Sequence, residues 1–312
     1  MKQKISKLPL TIITAVLNEE RFLPAFLGHI RDFADEIIVV VDYRTTDNSA
    51  KIAKDFGCRV LFDQGESRGI VFNNKNRGAS EAEHDWVLIL DADERLDETL
   101  QEEVRSIVLG TYSKQVDIYQ SSFINYEFGK FFDKSDQKKK PFVRLFRKGA
   151  FIYQTGSTAE GFGIQATSLS SGSWYGQYLL KIPLIRSWYL NKIRGVVTLK
   201  GHLVHLSHPT IADFIRKIDH YSTREALVLF DQNPHKSNLS FFWGLIFAPA
   251  KEFVYKYFLW QLYKEGIHGL IASIIYGFYY FLINAKYFRL SYRRKHLKEI
   301  ESIGKKYDFE DL

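Results

Sequence analysis

Two carboxylates stand one residue apart in Leu90-Asp91-Ala92-Asp93-Glu94, directly after the bare apolar run Trp86-Val87-Leu88-Ile89. A run of that length reads as a strand, and it delivers Asp91 and Asp93 to its C-terminal end. Ligands of open α/β sheets collect at the carboxyl ends of strands, and hard divalent cations take oxygen ligands while leaving positions for substrate phosphates. The pair therefore suits a site where a metal and a phosphate meet. A plainer reading stands beside it: acidic residues often end a buried strand, and Asp97 suits the N-cap of a helix over Glu98 to Leu109. A second apolar run, Glu36 to Val41, also ends on a carboxylate, Asp42, and the first run, Leu8 to Leu17, is followed by Asn18 and Glu19.

These ends must be held by a sheet. From Leu8 to Leu109, short β-rich runs (with Arg59 to Phe62 the third and Trp86 to Leu90 the fourth) alternate with helical stretches Phe22 to Phe33, Asn48 to Phe56 and Val71 to Ser80. That alternation predicts parallel strands joined by crossover helices. The Gly-x-Gly-x-x-Gly turn of dinucleotide folds and the Gly-x-x-x-x-Gly-Lys loop are both absent, which disfavours hydride transfer and P-loop chemistry. Beyond Val116 the runs Ile118 to Tyr126 and Pro141 to Phe146 flank a lysine-rich loop and fit strands of a mixed sheet. The Ser- and Gly-rich stretch Thr167 to Gly176 is expected to be a loop, with Trp174 and Tyr175 as candidates for a lid.

With 312 residues the chain can build its core without disulfides, and its lone cysteine, Cys58, fits a reducing compartment. Lys and Arg number 43 against 36 Asp and Glu, a surplus of 7 that favours anionic partners. Aromatics crowd beside the uncharged run Gly266 to Ala285 rather than interleaving with lysines, so a nucleic-acid surface is not expected. That run is long enough for a bilayer, but the parallel half-sheet, of the type that binds nucleotides, and the cluster Arg289, Arg293, Arg294 and Lys295 are both expected on the cytoplasmic side. The expectation is a segment that lies in or re-enters the membrane face, with a buried helical hairpin as the alternative.

Taken together, Val16-Leu17-Asn18-Glu19-Glu20, Asp35 to Asp42, Thr45-Thr46-Asp47, Lys75-Asn76 and Leu90 to Glu94 resemble the inverting family 2 glycosyltransferases of the GT-A fold. The branch with the lipopolysaccharide-core glycosyltransferases is the nearest in pattern. Weaker similarity runs through Arg144-Leu145-Phe146-Arg147 and Lys217 to Ala226, so the resemblance covers roughly the first three-quarters of the chain. It implies an α/β, Rossmann-like, mixed and mostly parallel sheet flanked by helices over residues 1–235, followed by an aromatic, helical, membrane-associating region over 236–312. The expected activity is transfer of a sugar from a nucleoside-diphosphate sugar, uridine-linked, to a hydroxyl or phosphate acceptor, lipid-linked or glycan, in cell-envelope synthesis. The expected place is the cytoplasmic membrane face, peripheral or monotopic.

Residue by residue, the resemblance gives Asp42 the nucleobase, with Asn18 and Glu19 lining base and ribose, and Arg68 the diphosphate, which a guanidinium can grip with two bonds. Asp91 is expected at the ribose or a metal-bound water, and Asp93 as ligand of Mg2+ or Mn2+. His205 is the candidate to complete that metal's shell. His202, His205 and His208 lie at spacing three, which in a strand turns successive side chains to opposite faces, so all three cannot hold one ion unless the segment turns. Glu160, in Thr158-Ala159-Glu160-Gly161, is the candidate general base, although relatives carry His-Glu where this chain has Ala159. The small Gly-Ser turn usual after the strand-two Asp is also replaced, by Tyr43-Arg44-Thr45. Two alternatives stay open: a metal-dependent nucleotidyltransferase, whose Gly-rich signature is missing at Leu17 to Arg21, and a catalytically inactive sugar-nucleotide-binding scaffold.

Overall fold

Continuous burial marks the centre of the sheet, as expected for parallel strands covered on both faces. All four residues of β4 (Trp86–Ile89) are buried, and so are the last four of β2 (Ala34–Val41). The computed structural model describes residues 7–67, 70–135, 141–153, 195–234 and 236–300. Among them nine strands form one sheet in the order β3 (Arg59–Phe62), β2, β1 (Leu8–Val16), β4, β8 (Phe142–Arg147), β6 (Ile118–Glu127), β9 (Val196–His208), β5 (Glu94–Leu96), with β7 (Lys130–Phe132) paired to β6. Strands β1, β2, β3 and β4 are mutually parallel, while β8 runs antiparallel to β4 and to β6. Strand β1 has β2 on one side and β4 on the other, so the chain order reverses around it. That is the switch point where an open sheet leaves a crevice at its strand ends.

Helices α1 (Leu23–Ile30), α2 (Ser49–Asp55) and α3 (Val71–Glu81) make the crossovers. Helix α4 (Glu98–Val108) follows β5 (Glu94–Leu96), and its N-cap is the one the sequence marks: Asp97 accepts from the Leu100 N–H at 2.7 Å. The main core joins Leu10, Ile12, Val39, Val41 and Leu88 with Phe26 and Leu27 of α1 and Leu100 and Val104 of α4.

The chain forms two compact units, Met1–Ile124 with Lys139–Leu206, and Asn125–Lys138 with Ser207–Leu312. The boundary drawn from sequence, at 235, falls inside the second unit. Helix α5 (Ile211–Gln232) explains why: its Phe214 and Ile218 share a buried cluster with Leu262, Ala272 and Ile275, so it belongs with the helices that follow. Those are α6 (Asn238–Val254), a π-helical turn Tyr255–Leu259, a 3-10 turn Leu262–Glu265 and α7 (Ile267–Lys295). In α7 an apolar stretch long enough to cross a membrane coincides with eight buried residues, among them Gly269, Ser273 and Asn284.

Helix α6 inverts the usual arrangement. Its Phe241 is buried, whereas Leu239, Phe242, Trp243, Ile246 and Phe247, at spacings that line one helical face, are all exposed, Leu239 by 66%.

Candidate active site

Asp42 is fixed beside the end of β1 because its N–H donates to the Val16 carbonyl at 3.0 Å. Its carboxylate is almost wholly buried and engaged: Arg44 Nε donates to Oδ1 at 2.8 Å, Arg44 Nη2 to Oδ2 at 2.9 Å, and the Arg44 N–H to Oδ1 at 3.0 Å. The hydrogen bonds from the Arg44 side chain are the main reason that Asp42 is held below the usual carboxylate range. The acceptor positions that the resemblance assigns to a nucleobase are thus bonded to the arginine that replaces the family's small turn.

Asn18 lies in the left-handed region at φ 57, a conformation asparagine tolerates. Its Oδ1 accepts from Thr46 N–H at 2.8 Å and Asp47 N–H at 3.3 Å, tying the loop after β2 to the loop after β1. The Glu19 N–H donates to Ser49 Oγ at 2.9 Å, and the Glu19 carbonyl takes the first N–H groups of α1. Both residues sit at the predicted edge, and the bonds seen there are structural latches.

Three consecutive residues of α3 link the site. Asn74 Nδ2 lies 3.5 Å from Asp42 Oδ2, Lys75 Nζ 2.5 Å from Asp91 Oδ1, and Asn76 exchanges bonds of 2.8 and 2.9 Å with the Tyr153 backbone. The helix comes this close because residue 78 is glycine: a Cβ there would stand 2.5 Å from Ile13 Cγ2 and 3.2 Å from Val40 Cγ2. Arg144 of β8 approaches from the other side, with Nη2 2.5 Å from Glu94 Oε1 and 3.5 Å from Asp91 Oδ2. Glu94 Oε2 in turn accepts the Asp91 N–H at 2.9 Å. Burial works against a charged Asp91, but Lys75 and then Arg144 outweigh it and keep its pKa below the ordinary value. For Glu94 burial wins, raising it to about 7 against the pull of Arg144. Arg144 Nε is buried and has no hydrogen-bond partner among the described residues.

Asp93 faces a different neighbour. Strand β5 pairs with β9 (Val196–His208) so that Glu94 stands opposite His205, and His205 Nε2 then lies 3.3 Å from Asp93 Oδ2. Strand β9 can reach this position because residue 201 is glycine, where a Cβ would fall 2.2 Å from the Leu100 backbone nitrogen. The three histidines part as their spacing requires, each to its own carboxylate: His202 to Asp97 at 3.4 Å, His205 to Asp93, and His208 to Glu127 at 2.6 Å. No three His, Cys, Asp or Glu side chains among the described residues gather into a metal-holding group. The expected set of Asp91, Asp93 and His205 is therefore not assembled, because both oxygens of Asp91 turn to Lys75 and Arg144. Asp93 and His205 alone remain as adjacent oxygen and nitrogen donors. Two such donors suit a cation that draws the rest of its shell from phosphate and water. Arg68 and Glu160 lie outside the described residues, as do Trp174 and Tyr175.

The sequence profile of glycosyl transferase family 2 matches residues 11–163, the segment that contains Asn18, Asp42, Lys75, Asp91, Asp93 and Arg144. Over residues 11–163 the chain matches the family 2 glycosyltransferases. An uncharacterized glycosyltransferase of Rickettsia typhi is 27% identical over 293 residues, 94% of this chain and 90% of its own length. The lipopolysaccharide core biosynthesis glycosyltransferase LpsC of Rhizobium meliloti is 24% identical over 288 residues, 91% and 94% of the two chains. Among solved structures, S. aureus TarS 1–349 in complex with UDP aligns over 92% of this chain and 91% of its own at 15% identity, with a TM-score of 0.43, too loose a superposition to transfer any residue's role.

Within the matched segment, Lys75, Glu94 and Arg144 enter the site although sequence reasoning gave none of them a task there. A signal for Lys75 exists: the buried face of α3 is Asn74, Lys75 and Gly78, polar where an amphipathic helix should be apolar. For Arg144 the signal is a charge inside the otherwise apolar run of β8, where four successive residues are buried.

Proposed function

We propose that this protein is an inverting, metal-dependent glycosyltransferase that moves a sugar from a uridine-diphosphate donor to a lipid-linked acceptor in cell-envelope glycan synthesis. One observation carries the reading: within a segment that matches family 2, the ends of β1, β2 and β4 converge on a buried network of Asp42, Lys75, Asp91, Glu94 and Arg144, with the Asp93 and His205 pair beside it. The partnerless Arg144 Nε is the kind of buried donor that a substrate anion satisfies, since leaving it unpaired is costly. Asp93 and His205 would hold Mg2+ or Mn2+, which when bound supplies positive charge to the diphosphate leaving group. Asp91, held by Lys75 and Arg144 but still partly accessible, would face the ribose. Glu160 would take the proton of the acceptor hydroxyl as that oxygen attacks the anomeric carbon from the face opposite the diphosphate.

The relative named for lipopolysaccharide core biosynthesis supports an envelope acceptor. The exposed apolar stripe of α6 and the cations Arg293, Arg294 and Lys295 in the last turn of α7 support docking of the second unit on the cytoplasmic membrane face. Intact acidic groups at all three strand ends speak against an inactive scaffold.

The test is a panel of sugar nucleotides with nucleoside-diphosphate release as readout, with and without chelator, and the anomeric configuration of the product read by NMR. Release from one uridine-linked sugar, stopped by chelation and giving an inverted product, is expected. Release of pyrophosphate from a nucleoside triphosphate would identify a nucleotidyltransferase instead. Glu160→Gln should keep donor binding while transfer falls by roughly a hundredfold or more.

A further inference from the structure

In the second unit, a cavity of about 590 Å³ opens between the link that precedes α6 and the last turns of α7. Lys236 and Ser237 line it from one side, and Ser291, Arg294 and Lys295 from the other. Lys236, Arg294 and Lys295 make no ion pair with any carboxylate among the described residues. Glu299, the carboxylate nearest in sequence, is engaged by His296, also of the cavity wall, at 3.2 Å. Lys236 instead rests on aromatic faces, with Nζ 4.9 Å from the Phe241 ring centre and 5.2 Å from that of Tyr287. Burial lowers its pKa, a cost that an anion in the cavity would offset.

Two further features point the same way. The cavity lies at the N-terminus of the 17-residue helix α6, whose first N–H groups favour negative charge, and only one of them is taken by the Ser237 side chain, from Ser240 at 3.3 Å. Ser291 Oγ is shut off from solvent and has no partner among the described residues. The plain explanation, that Arg294 and Lys295 complement the C-terminal end of the α7 dipole, leaves Lys236 and Ser291 unexplained. The exposed stripe Leu239, Phe242, Trp243, Ile246 and Phe247 starts at the cavity's edge, and an apolar groove lined by Trp243, Phe247, Val254 and Leu259 continues along α6.

We propose that this cavity binds the phosphate of an anionic lipid, whose chains lie along the apolar stripe and groove of α6. The inference deepens the membrane-docking part of the proposed function and rests on it. Cationic cavity and apolar track match the two ends of one amphiphile, which neither a free anion nor a neutral lipid would use in full.

Vesicle co-sedimentation of the full chain tests it, with phosphatidylcholine vesicles, the same vesicles containing phosphatidic acid, and the latter in the presence of inorganic phosphate. Wild type should prefer the anionic vesicles. Lys236→Gln with Arg294→Gln should lose that preference by on the order of twentyfold, at about fivefold for each basic residue near an anionic surface. A control, Lys264→Gln with Arg289→Gln, removes the same charge from exposed positions outside the cavity and should keep most of the preference. Equal loss in both double variants would reduce the effect to general surface charge and overturn the site. Equal binding of wild type to neutral and anionic vesicles would overturn the site while leaving membrane docking standing, whereas no binding to either would overturn both. Inorganic phosphate that raises the melting temperature of wild type but not of the cavity variant, without any anionic preference, would identify a soluble phosphate site and overturn the lipid assignment.

Discussion

Lys75 places a buried ammonium 2.5 Å from a carboxylate that keeps partial access to solvent, and the consequence is testable through stability as well as activity. Lys75→Met should destabilise the protein at neutral pH by about 1.5–3 kcal/mol, the usual value of a charge-assisted hydrogen bond. The pH dependence follows from Asp91, whose folded pKa is depressed. Its contribution is present above the unfolded value and disappears as pH falls through the folded one. The melting-temperature gap between wild type and Lys75→Met should therefore be full at neutral pH and shrink below about pH 4, where unfolded aspartate begins to protonate. A gap that stays constant down to acid denaturation would show that Lys75 acts by packing alone. Asp42 differs in kind: it stands at the strand end that the resemblance assigns to the base, and base contacts bind ground and transition states alike, so Asp42→Ala should raise the requirement for donor more than it slows the chemical step.

Helix α3 is the element that joins the two strand-end carboxylates, and its position depends on Gly78. Gly78→Val should push the helix from β1 and β2, at about 1–3 kcal/mol in stability as for other overpacked sites, and should cut donor binding because Asn74 and Lys75 move with it. Unchanged binding in a folded Gly78→Val would show that α3 does not position the site. The same helix shows what was legible from sequence and what was not. Strands β1, β2 and β4 and the polar groups at their ends could be read from continuous apolar runs, since a parallel strand buried on both faces leaves that trace. Arg59 to Phe62 and the Asp97 cap matched residue for residue. Lys75 and Arg144 escaped because they lie far along the chain from Asp91, and only the pairing of β4 with β8 and the packing of α3 bring them to it. Asp91 and Asp93, adjacent in sequence, face different neighbours for a related reason: cations from α3 and β8 meet Asp91, while His205 of β9 meets Asp93.

For the whole molecule, the surplus of 7 positive charges and the inverted face of α6 combine into one expectation about place. The 29 residues of α7 extend roughly 43 Å, more than a bilayer core requires, but Asn284 and Ser273 are buried against protein rather than offered to lipid. The full chain should sediment with the membrane fraction of lysed cells, and raising the salt should release part of it, because the cationic contribution is screened while the apolar stripe is not. Recovery in the soluble fraction at low salt would contradict docking, and protease access to Leu312 from the outer face of sealed cells would contradict the cytoplasmic orientation. The division of the chain also bears on truncation: a cut near 235 removes helices that share α5's buried cluster, so the remaining fragment should melt at lower temperature than the full chain.

The proposed transfer requires that the strand ends form one site for a nucleoside diphosphate. The direct measurement is calorimetric titration of uridine diphosphate, with Mn2+ present, into the full chain and into Asp93→Ala. One saturable site is expected in the wild type, weakened about tenfold or more in the variant, as for loss of a coordinating group, while circular dichroism stays unchanged. Absence of saturable binding in the wild type, or equal affinity in the folded variant, would contradict the account.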